Sequence, residues 1–401
     1  MKALVYERNV ARYAMTKVLG KFTSPKASLS PLRLVELDPP QLPNQDWVAF
    51  TPLLSGICGS DLATITSSSS RYFEDIVSFP FTMGHEVIGE YITEAGHKQR
   101  AVLIPTLSCQ VRNLNPMCRY CQMGETQRCQ MLQHGSISAG LQTGFCTDTS
   151  GGWSQGIIAH KSQLFDIDTD VTDESAVLFE PFACAIHAAL SIDSPESTIA
   201  VIGGGTLGLL TIAALKAIYP DCEIVATARY GHQKLLAQKM GANIVADEKD
   251  LYRQARSIRS AQMISAKRPT DGFGTVFDAV GSSSSIEQAL NVAAPGATIV
   301  LVGMPEDSKL DLTPLWMKEL TIRGSYAYGM ENIEGKKVST FELAERFAKQ
   351  VDLSELLSAT YRLDDFEMAI DHASNAGRRG GVKIAFDMRK LSTRENWSKS
   401  R

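Results

Sequence analysis

The sequence predicts an α/β protein of two domains, a mostly β domain and a domain built on a doubly wound parallel sheet. The chain has 401 residues, which suits about two domains of ordinary size. Short β-like runs separated by Pro, Gly and Ser fill the first 160 residues, whereas apolar strands alternate with helical patterns from about residue 170 onward. Such alternation indicates parallel strands joined by crossover helices.

The predicted elements of the first domain are strands broken by turn residues. The strand patterns lie at residues 3–5, 32–37, 46–53 and 86–96. Six basic residues and no acidic ones occur between Arg8 and Arg33, a composition loosely like that of a transit peptide. Because residues 3–5 already form a strand pattern, a basic surface loop after that strand is the favoured interpretation.

The second domain is predicted from a repeated strand-then-glycine pattern. Its strand patterns lie at residues 197–203, 223–228, 275–281 and 297–304, and its helical patterns lie at residues 207–219 and 233–242. A β-like run at 321–328, a helical pattern at 340–351 and a closing strand at 381–386 follow. We expect the closing strand to return to the first domain. The predicted domains are therefore 1–170 with 325–401, and 171–324.

Composition and charge exclude several function classes. The 40 basic and 44 acidic side chains give a net charge of −4, so the chain has no overall electrostatic footprint for nucleic acid. Residues 197–215 carry no charge, but three consecutive glycines in their middle favour a strand, a turn and a helix over a membrane span. The first residues lack the pattern of a signal peptide. We expect a cytoplasmic protein that binds neither nucleic acid nor membranes.

A glycine-rich turn follows the first strand of the second domain. The segment Gly-Gly-Gly-Thr-Leu-Gly, which begins at Gly203, matches the G-x-G-x-x-G pattern of dinucleotide-binding domains. Gly203 permits the tight turn, Gly205 lets the backbone approach a pyrophosphate, and Gly208 lets helix and strand pack closely. The start of the helix, at Thr206 and Leu207, offers free N–H groups to the phosphates. A tight turn without a ligand is the alternative.

The end of the next strand indicates NADP(H) rather than NAD(H). An NAD site expects an acidic residue about 20 positions after the glycines, where it binds the ribose 2′-hydroxyl. Here the strand ends Ala-Thr-Ala (226–228) without an acid, and Arg229 follows it, with Thr227, Tyr230 or His232 as further candidate contacts of the cofactor. A guanidinium can bind a 2′-phosphate through two hydrogen bonds. The alternative is that Arg229 is a solvated loop cation.

Four cysteines in one short segment, about residues 105–132, indicate a structural zinc site. Cys118 and Cys121 form a C-x-x-C pair, Cys129 follows, and Cys109 precedes them. Four thiolates suit a closed tetrahedral Zn²⁺ site. Disulfides are the competing use, and they are disfavoured in a reducing compartment.

A second set of metal-ligand residues is dispersed in the first domain. Cys58 follows a β-like run, and His85 and Glu86 begin another. Cysteine, histidine and carboxylate can bind zinc with one position open, as a Lewis-acid site requires. Each residue alone is more often an ordinary core residue, so the argument rests on their occurrence beside the cysteine cluster and the glycine turn.

Several motifs together resemble the zinc-containing alcohol dehydrogenases of the medium-chain dehydrogenase/reductase superfamily, over nearly the whole chain. The motifs are Gly-Ile-Cys-Gly-Ser-Asp (56–61), Gly-His-Glu (84–86), the cysteine lobe, Glu-Pro (180–181), the glycine turn, Asp-Ala-Val-Gly (278–281) and Lys-Glu-Leu-Thr (318–321). The resemblance implies a GroES-like catalytic domain and a Rossmann dinucleotide-binding domain. It also implies a homodimer or homotetramer.

The resemblance implies catalytic zinc ligands by position. Cys58 and His85 would be ligands, and Glu86 a ligand or a close neighbour of the metal. Glu180 falls where the polyol and glucose dehydrogenase branch has glutamate, so it would bind zinc directly or through water. The four cysteines of the lobe would hold the structural zinc.

Further roles follow from the same resemblance. Asp61 would orient the histidine ligand, and Ser60 would accept the proton of the substrate hydroxyl. Val280 and Val302 would contact the cofactor. Many relatives have a histidine proton shuttle where this chain has Ala63, so the proton would leave through a ribose hydroxyl or water.

Two other departures from the family pattern concern single segments. Residues 111–116 look like an insertion after Cys109, which makes this cysteine the least secure ligand of the lobe. Residues 135–148 have no familiar pattern, and they leave the shape of the substrate pocket open.

The implied function is reversible hydride transfer between an alcohol, which is a polyol, a sugar or a secondary alcohol, and NADP(H). Two alternatives stay open at this point. One is a zinc-independent NADPH enone or quinone reductase of the same superfamily, and the other is an inactive dinucleotide-binding zinc protein. The Gly-His-Glu motif (84–86) and Glu180 argue against the first, and the intact Cys58, Ser60, His85 and Glu180 argue against the second.

Overall fold

A computed structural model describes residues 1–19, 26–192, 198–258, 261–305, 307–333 and 335–390 of the chain. The strands, numbered in chain order, are β1 (Lys2–Tyr6), β2 (Leu32–Glu36), β3 (Trp47–Gly56), β4 (Phe81–Thr82), β5 (Val87–Ile92), β6 (Lys98–Leu103), β7 (Ile157–His160), β8 (Leu164–Asp166), β9 (Thr198–Ile202), β10 (Glu223–Thr227), β11 (Ile244–Ala246), β12 (Met263–Ser265), β13 (Arg268–Pro269), β14 (Phe273–Asp278), β15 (Ala293–Leu301), β16 (Thr321–Gly324), β17 (Met330–Ile333), β18 (Lys336–Ser339), β19 (Leu357–Tyr361) and β20 (Lys383–Asp387).

Short and medium helices connect these strands. The α-helices are α1 (Val10–Leu19), α2 (Lys26–Leu29), α3 (Gly59–Ile65), α4 (Arg119–Gln122), α5 (Asp173–Ala176), α6 (Phe179–Leu190), α7 (Thr206–Ile218), α8 (Gly231–Lys239), α9 (Leu251–Ile258), α10 (Ser283–Val292), α11 (Thr313–Met317), α12 (Thr340–Ala348) and α13 (Phe366–Ser374). The 3₁₀ turns are Arg71–Ile76, Thr126–Arg128, Lys161–Gln163, Leu353–Leu356, Leu363–Asp365, Ala376–Arg379 and Met388–Lys390. In the described ranges, no helix has the length and apolar character of a membrane span.

The first compact unit comprises Met1–Glu180 and Leu353–Arg401. Its main sheet has seven strands in the order β19-β20-β3-β5-β6-β8, and β7 also pairs with β3. The long strand β3 is central because it pairs with β20, β5 and β7 along its length. Its buried face contributes Phe50 to an apolar core with Val87 and Leu103. This is the predicted mostly β domain, and β20 is the predicted closing strand.

The second compact unit, Pro181–Asp352, is built on six parallel strands in the order β11-β10-β9-β14-β15-β16. Every residue of β9 is buried because helices cover both faces of such a sheet. The strand order reverses between β9 and β14, so the turns after these two strands flank a switch point. Ligands of doubly wound sheets bind at such a point, beyond the carboxyl ends of the strands. The predicted fold class is confirmed.

The structure divides the chain at different residues from the predicted 170/171 and 324/325. Helix α5 contacts β3 and therefore belongs to the first unit, whereas the hairpin β17–β18 carries α12, which belongs to the second. The polar carboxyl-terminal residues 391–401 lie outside the described residues.

One local expectation was wrong, since the basic stretch after β1 is not a loop throughout. It forms α1, because the Asn9 side chain accepts a hydrogen bond from the Arg12 N–H at 3.0 Å and caps the first turn. Thr16 turns inward and is buried. Two of the six basic residues, Arg12 and Lys17, lie in this helix.

Candidate functional site: a buried metal-ligand cluster, a cysteine lobe and a glycine turn

The dispersed metal-ligand residues of the first unit come together in one buried cluster. One ligand atom each from Cys58, His85 and Glu86 lie within 4.8 Å of one another. Cys58 stands at the start of α3, directly after β3, and His85 and Glu86 directly precede β5. Because β3 and β5 are paired neighbours, the ends of these two strands bring the three residues together.

Asp61 organises this cluster from the first turn of α3. It is fully buried, and its Oδ2 accepts a hydrogen bond from the backbone N–H of Cys58 at 2.9 Å. Its Oδ1 lies 3.5 Å from Nδ1 of His85. A carboxylate beside Nδ1 favours the tautomer whose Nε2 lone pair is free for a metal. Burial acts to lower the pKa of His85, but Asp61 and Cys58 outweigh it and raise that pKa.

A buried lysine that the sequence did not single out completes the cluster. Lys383, in β20, forms an ion pair with Glu86, and both side chains are almost fully buried. Its ammonium also donates to the carbonyl of Ile57 at 3.1 Å. The signal in the sequence was a lysine within an otherwise apolar strand.

Glu180 lies near the cluster but outside the group of three close ligand atoms. Glu180 is 6% exposed, and burial raises the pKa of its carboxyl to about 7, while the charge of His85 acts in the opposite direction. Glu86 raises the same pKa further. The Glu180 carboxyl, a fourth predicted ligand, therefore interacts electrostatically with His85 and Glu86 of the cluster.

The donor set fits a catalytic zinc ion. A thiolate, an imidazole and a carboxylate are the ligands of such sites, which keep one position open. Three buried acids, Asp61, Glu86 and Glu180, face one buried lysine, Lys383. Asp61 and Glu86 have His85 and Lys383 as partners, so it is the combination of a thiol, an imidazole and carboxyl groups in one buried place that favours a metal ion.

The four lobe cysteines form a second cluster. Sulfur atoms of Cys109, Cys118, Cys121 and Cys129 lie within 4.8 Å of one another, and all four residues are buried. Backbone N–H groups point at these sulfurs, as from Cys118 to Cys109 at 3.3 Å. The pKa of Cys129 is lowered to about 5, chiefly because the Cys121 thiol hydrogen-bonds to its sulfur. Four crowded sulfurs that accept hydrogen bonds fit a tetrahedral zinc site.

The inserted segment after Cys109 does not remove this cysteine from the cluster. The backbone turns back at once, with N–H to C=O hydrogen bonds from Arg112 to Ser108 and from Leu114 to Cys109. The sulfur of Cys109 thereby lies 3.7 Å from that of Cys129.

The glycine turn has the geometry that each of its glycines requires. Gly203 has a φ of 111°, which L side chains rarely adopt. A Cβ on Gly208 would lie 1.9 Å from the carbonyl oxygen of Gly203, whereas a Cβ on Gly205 would meet nothing within 4 Å. Gly205 caps α7, and Thr206 and Leu207 are half-buried in its first turn.

Two hydrogen-bond acceptors hold the turns after β9 and β14. The Thr227 hydroxyl accepts from the backbone N–H of Gly203 at 3.0 Å, so Thr227 fixes the turn from within the sheet. The buried carboxylate of Asp278 accepts from the N–H groups of Val280 and Gly281 at 2.9 and 3.2 Å. Val280 is 47% exposed, whereas Val302 is buried. The role of Asp278 was not predicted from the sequence.

Arg229 is exposed at the start of the loop after β10, and it already has a partner. Its Nη2 donates to Oε1 of Glu248 at 2.7 Å, and more than half of each side chain is in solvent. The carboxylate raises the pKa of Arg229. Tyr230 and His232 stack on each other beside it, with ring centroids 5.9 Å apart.

Segment 135–148, which the sequence left open, packs against the metal-ligand cluster. The ring of Phe145 lies 5.8 Å from that of His85 and 5.3 Å from that of Phe81. Gly144 sits directly on the backbone of Gly84, where a Cβ would approach to 3.0 Å. The segment therefore contributes an aromatic wall beside the histidine.

Comparison with protein families finds matches in both units. Residues 44–169 match the family described as alcohol dehydrogenase GroES-like domain, and residues 206–342 match the family described as zinc-binding dehydrogenase. Together the two matches span about two thirds of the chain. The L-threonine 3-dehydrogenase of Shewanella sp. (strain ANA-3) is 24% identical over 378 residues, which is 92% of this chain and 100% of that protein.

Solved structures share the fold along nearly the whole chain. Galactitol-1-phosphate dehydrogenase from Escherichia coli superposes with a TM-score of 0.69 at 22% identity, over 96% of this chain and 100% of that one. A zinc-binding dehydrogenase from Sinorhizobium meliloti 1021, bound to NADP, has a TM-score of 0.68 at 20% identity, with coverage of 96% and 98%. At these identities the likeness establishes the fold.

Proposed function

This chain belongs to the zinc-containing alcohol dehydrogenase family of the medium-chain dehydrogenase/reductase superfamily, and on that premise we propose that it transfers a hydride reversibly between a polyol, sugar or secondary alcohol and NADP(H). The predictions of the family, of a GroES-like and a Rossmann domain, and of an oxidoreductase are confirmed. The cofactor preference, the substrate and the site residues are our proposal.

The buried cluster of Cys58, His85 and Glu86 carries the proposal. These residues, with Glu180 as a further ligand or a water-mediated one, would hold the catalytic zinc, and the four lobe cysteines would hold the structural one. When bound, zinc supplies Lewis-acid polarisation of the substrate oxygen, and the nicotinamide exchanges the hydride.

The side chains around the cluster supply orientation and proton transfer. Asp61 fixes the ring of His85, and the Glu86–Lys383 ion pair keeps a buried carboxylate at the cluster. Ser60, half-buried in the first turn of α3, accepts the hydroxyl proton of the substrate. Ala63 offers no proton acceptor, so the proton leaves through a cofactor hydroxyl or water.

Two observations support the substrate class. A carboxylate, Glu180, stands where a thiolate would mark the branch that acts on simple alcohols. The names of two proteins similar to this chain, threonine 3-dehydrogenase and galactitol-1-phosphate dehydrogenase, point to substrates with several polar groups.

The support for NADP(H) lies at the end of β10. No acid follows Thr227 directly, and the guanidinium of Arg229 is accessible to solvent. A ribose 2′-phosphate carries more charge than the carboxylate of Glu248, and it can therefore displace that partner. We also predict a cytoplasmic homodimer or homotetramer.

Metal analysis of the purified enzyme tests this function. We expect about two zinc ions per chain, one of them bound at each cluster. The Cys58→Ala/His85→Ala variant should keep one ion and lose alcohol oxidation, and Cys222→Ala, a buried cysteine outside both clusters, should keep both ions and full activity.

The opposite results separate the alternatives. Enone reduction that persists after complete removal of zinc indicates the zinc-independent reductase. A loaded protein without turnover on a broad panel of alcohols and carbonyls indicates an inactive dinucleotide-binding protein.

A further inference from the structure

Arg112, in the inserted segment of the cysteine lobe, is a buried cation that the proposed chemistry does not use. Its side chain is 0% exposed. The guanidinium donates to five backbone carbonyls, which belong to Leu107, His134, Ile137, Ser138 and Gly140. The last four carbonyls all lie in one short segment, residues 134–140.

No carboxylate accompanies this guanidinium among the described residues. The charges that act on its pKa are the sulfurs of Cys146, Cys129 and Cys109, which oppose the lowering caused by burial. An ionised group taken out of water needs an opposite charge, because carbonyl dipoles replace only part of its hydration. The cysteine lobe adjoins Arg112, because the backbone N–H of Arg112 donates at 3.0 Å to the carbonyl of Ser108, the residue before Cys109.

The lobe has the complementary excess when it is loaded. Four thiolates carry twice the charge of one Zn²⁺, so a zinc ion bound by the four cysteines forms an anionic group. Partners outside the ligand set tune such sites strongly. We propose that Arg112 is the buried counter-charge of the zinc-loaded cysteine lobe and that it holds residues 134–140 against the lobe.

The segment that Arg112 holds is connected along the chain to the candidate catalytic cluster. Residues 134–140 lead directly to Cys146, whose thiol lies 3.5 Å from the carbonyl of Ser138, and to Phe145, which packs on His85. Arg112 is thus a positioning residue, because it holds the segment that carries this ring. The inference rests on the structural zinc of the proposed function.

The rate of zinc release into excess chelator, followed after removal of the catalytic ion, tests the inference. Arg112→Met should release the lobe zinc about 10- to 100-fold faster than the wild type. Arg112→Lys keeps the charge but cannot form five carbonyl hydrogen bonds, so its release rate should stay near that of the wild type. Hydrogen exchange of residues 134–140 should accelerate in both variants.

Arg128→Met is the matched control. Arg128 lies in the same lobe, but it is 53% exposed and pairs with Glu125 at 2.8 Å. Its removal should leave zinc release unchanged, which would separate a buried counter-charge from general lobe electrostatics.

Three results would overturn the inference. If Arg112→Met releases zinc at the wild-type rate, Arg112 is not the counter-charge of the lobe. Arg112→Lys that releases zinc about 10-fold faster than the wild type, or more, reduces Arg112 to hydrogen bonding, and this comparison with the wild type does not require Arg112→Met to fold. A wild type without lobe zinc contradicts the metal assignment as well, whereas the first two results leave that assignment intact.

Discussion

At the scale of single residues, Lys383 is the cation that pairs with the buried Glu86 of the candidate catalytic cluster. Lys383→Met leaves Glu86 buried without its partner, which we expect to cost about 3–5 kcal/mol of unfolding free energy. Adding Glu86→Gln removes the stranded charge and should recover much of that loss. Urea unfolding of the two single variants and the double variant measures the coupling.

Lys383→Arg is the control because it keeps the charge. Additive losses in the two single variants and the double variant would show that the ion pair contributes no coupling energy.

In the proposed function, the choice between NADP(H) and NAD(H) depends on Arg229 and its partner Glu248. Arg229→Asp places a carboxylate beside the proposed site of the 2′-phosphate and should lower kcat/KM for NADPH about 100-fold relative to NADH, since two good charge-assisted hydrogen bonds are lost. Glu248→Gln frees the guanidinium and should favour NADPH further. Steady-state kinetics with both cofactors gives the ratio.

Arg253→Asp is the matched control for this prediction. Arg253 is also an exposed arginine in an ion pair, here with Asp250, and its change should leave the cofactor ratio unaltered. An unaltered ratio in Arg229→Asp would make Arg229 the solvated cation of the alternative.

At the scale of elements, two glycines in the turn between β9 and α7 have different roles: Gly208 is required for stability, and Gly205 for the proposed cofactor binding. Gly208→Ala drives a Cβ into the carbonyl oxygen of Gly203 and should destabilise the protein strongly. Gly205→Ala meets open space at an extended backbone, so its stability should change by less than about 0.5 kcal/mol. Its NADPH affinity should fall about tenfold, because the new methyl occupies the path of the pyrophosphate.

Thermal unfolding and cofactor titration of both variants check this division. Unchanged NADPH affinity in Gly205→Ala would contradict the assignment of the turn to the pyrophosphate.

Local patterns predicted most elements because their signals lie within a few residues. The strand-then-glycine pattern identified β9, β14 and β15, and a short β-like run identified β10, all to within a few residues. The Asn9 cap of α1 is an equally local signal, but the basic composition around it favoured the prediction of a loop. The contacts of Lys383 and of Arg112 could not be predicted from local patterns. Lys383 pairs with Glu86, which is distant in the chain, and Arg112 lies in an insertion and donates to Gly140 beyond it.

At the scale of the whole molecule, the first unit is made of two chain segments that must find each other. Residues after 352 return to the first 180, and β20 pairs with β3. Beyond β20, Arg389 binds Asp173 at 2.8 Å and Glu174 at 2.9 Å, across more than 200 residues of sequence. Closing so long a loop is costly in entropy, so these terminal contacts help to hold the return.

The pH dependence of stability should report on this closure. Burial acts to raise the pKa of Glu174, but the hydrogen bond from Arg389 outweighs it and lowers the pKa. A carboxyl whose pKa is lower in the folded state stabilises the fold above its unfolded pKa, and this contribution is lost as the pH falls through the folded pKa. Arg389→Met should therefore cost about 1 kcal/mol near neutrality, after allowance for solvent screening, and less in acid.

Urea unfolding of wild type and Arg389→Met across the acidic and neutral range gives both curves. Arg71→Met is the matched control, because Arg71 and Glu74 form an exposed pair within one short 3₁₀ turn and close no long loop. Its curve should follow the wild type at every pH. A constant difference between Arg389→Met and the wild type would place the effect in packing, since only an ion pair that loses its charge makes the difference shrink as Glu174 is protonated.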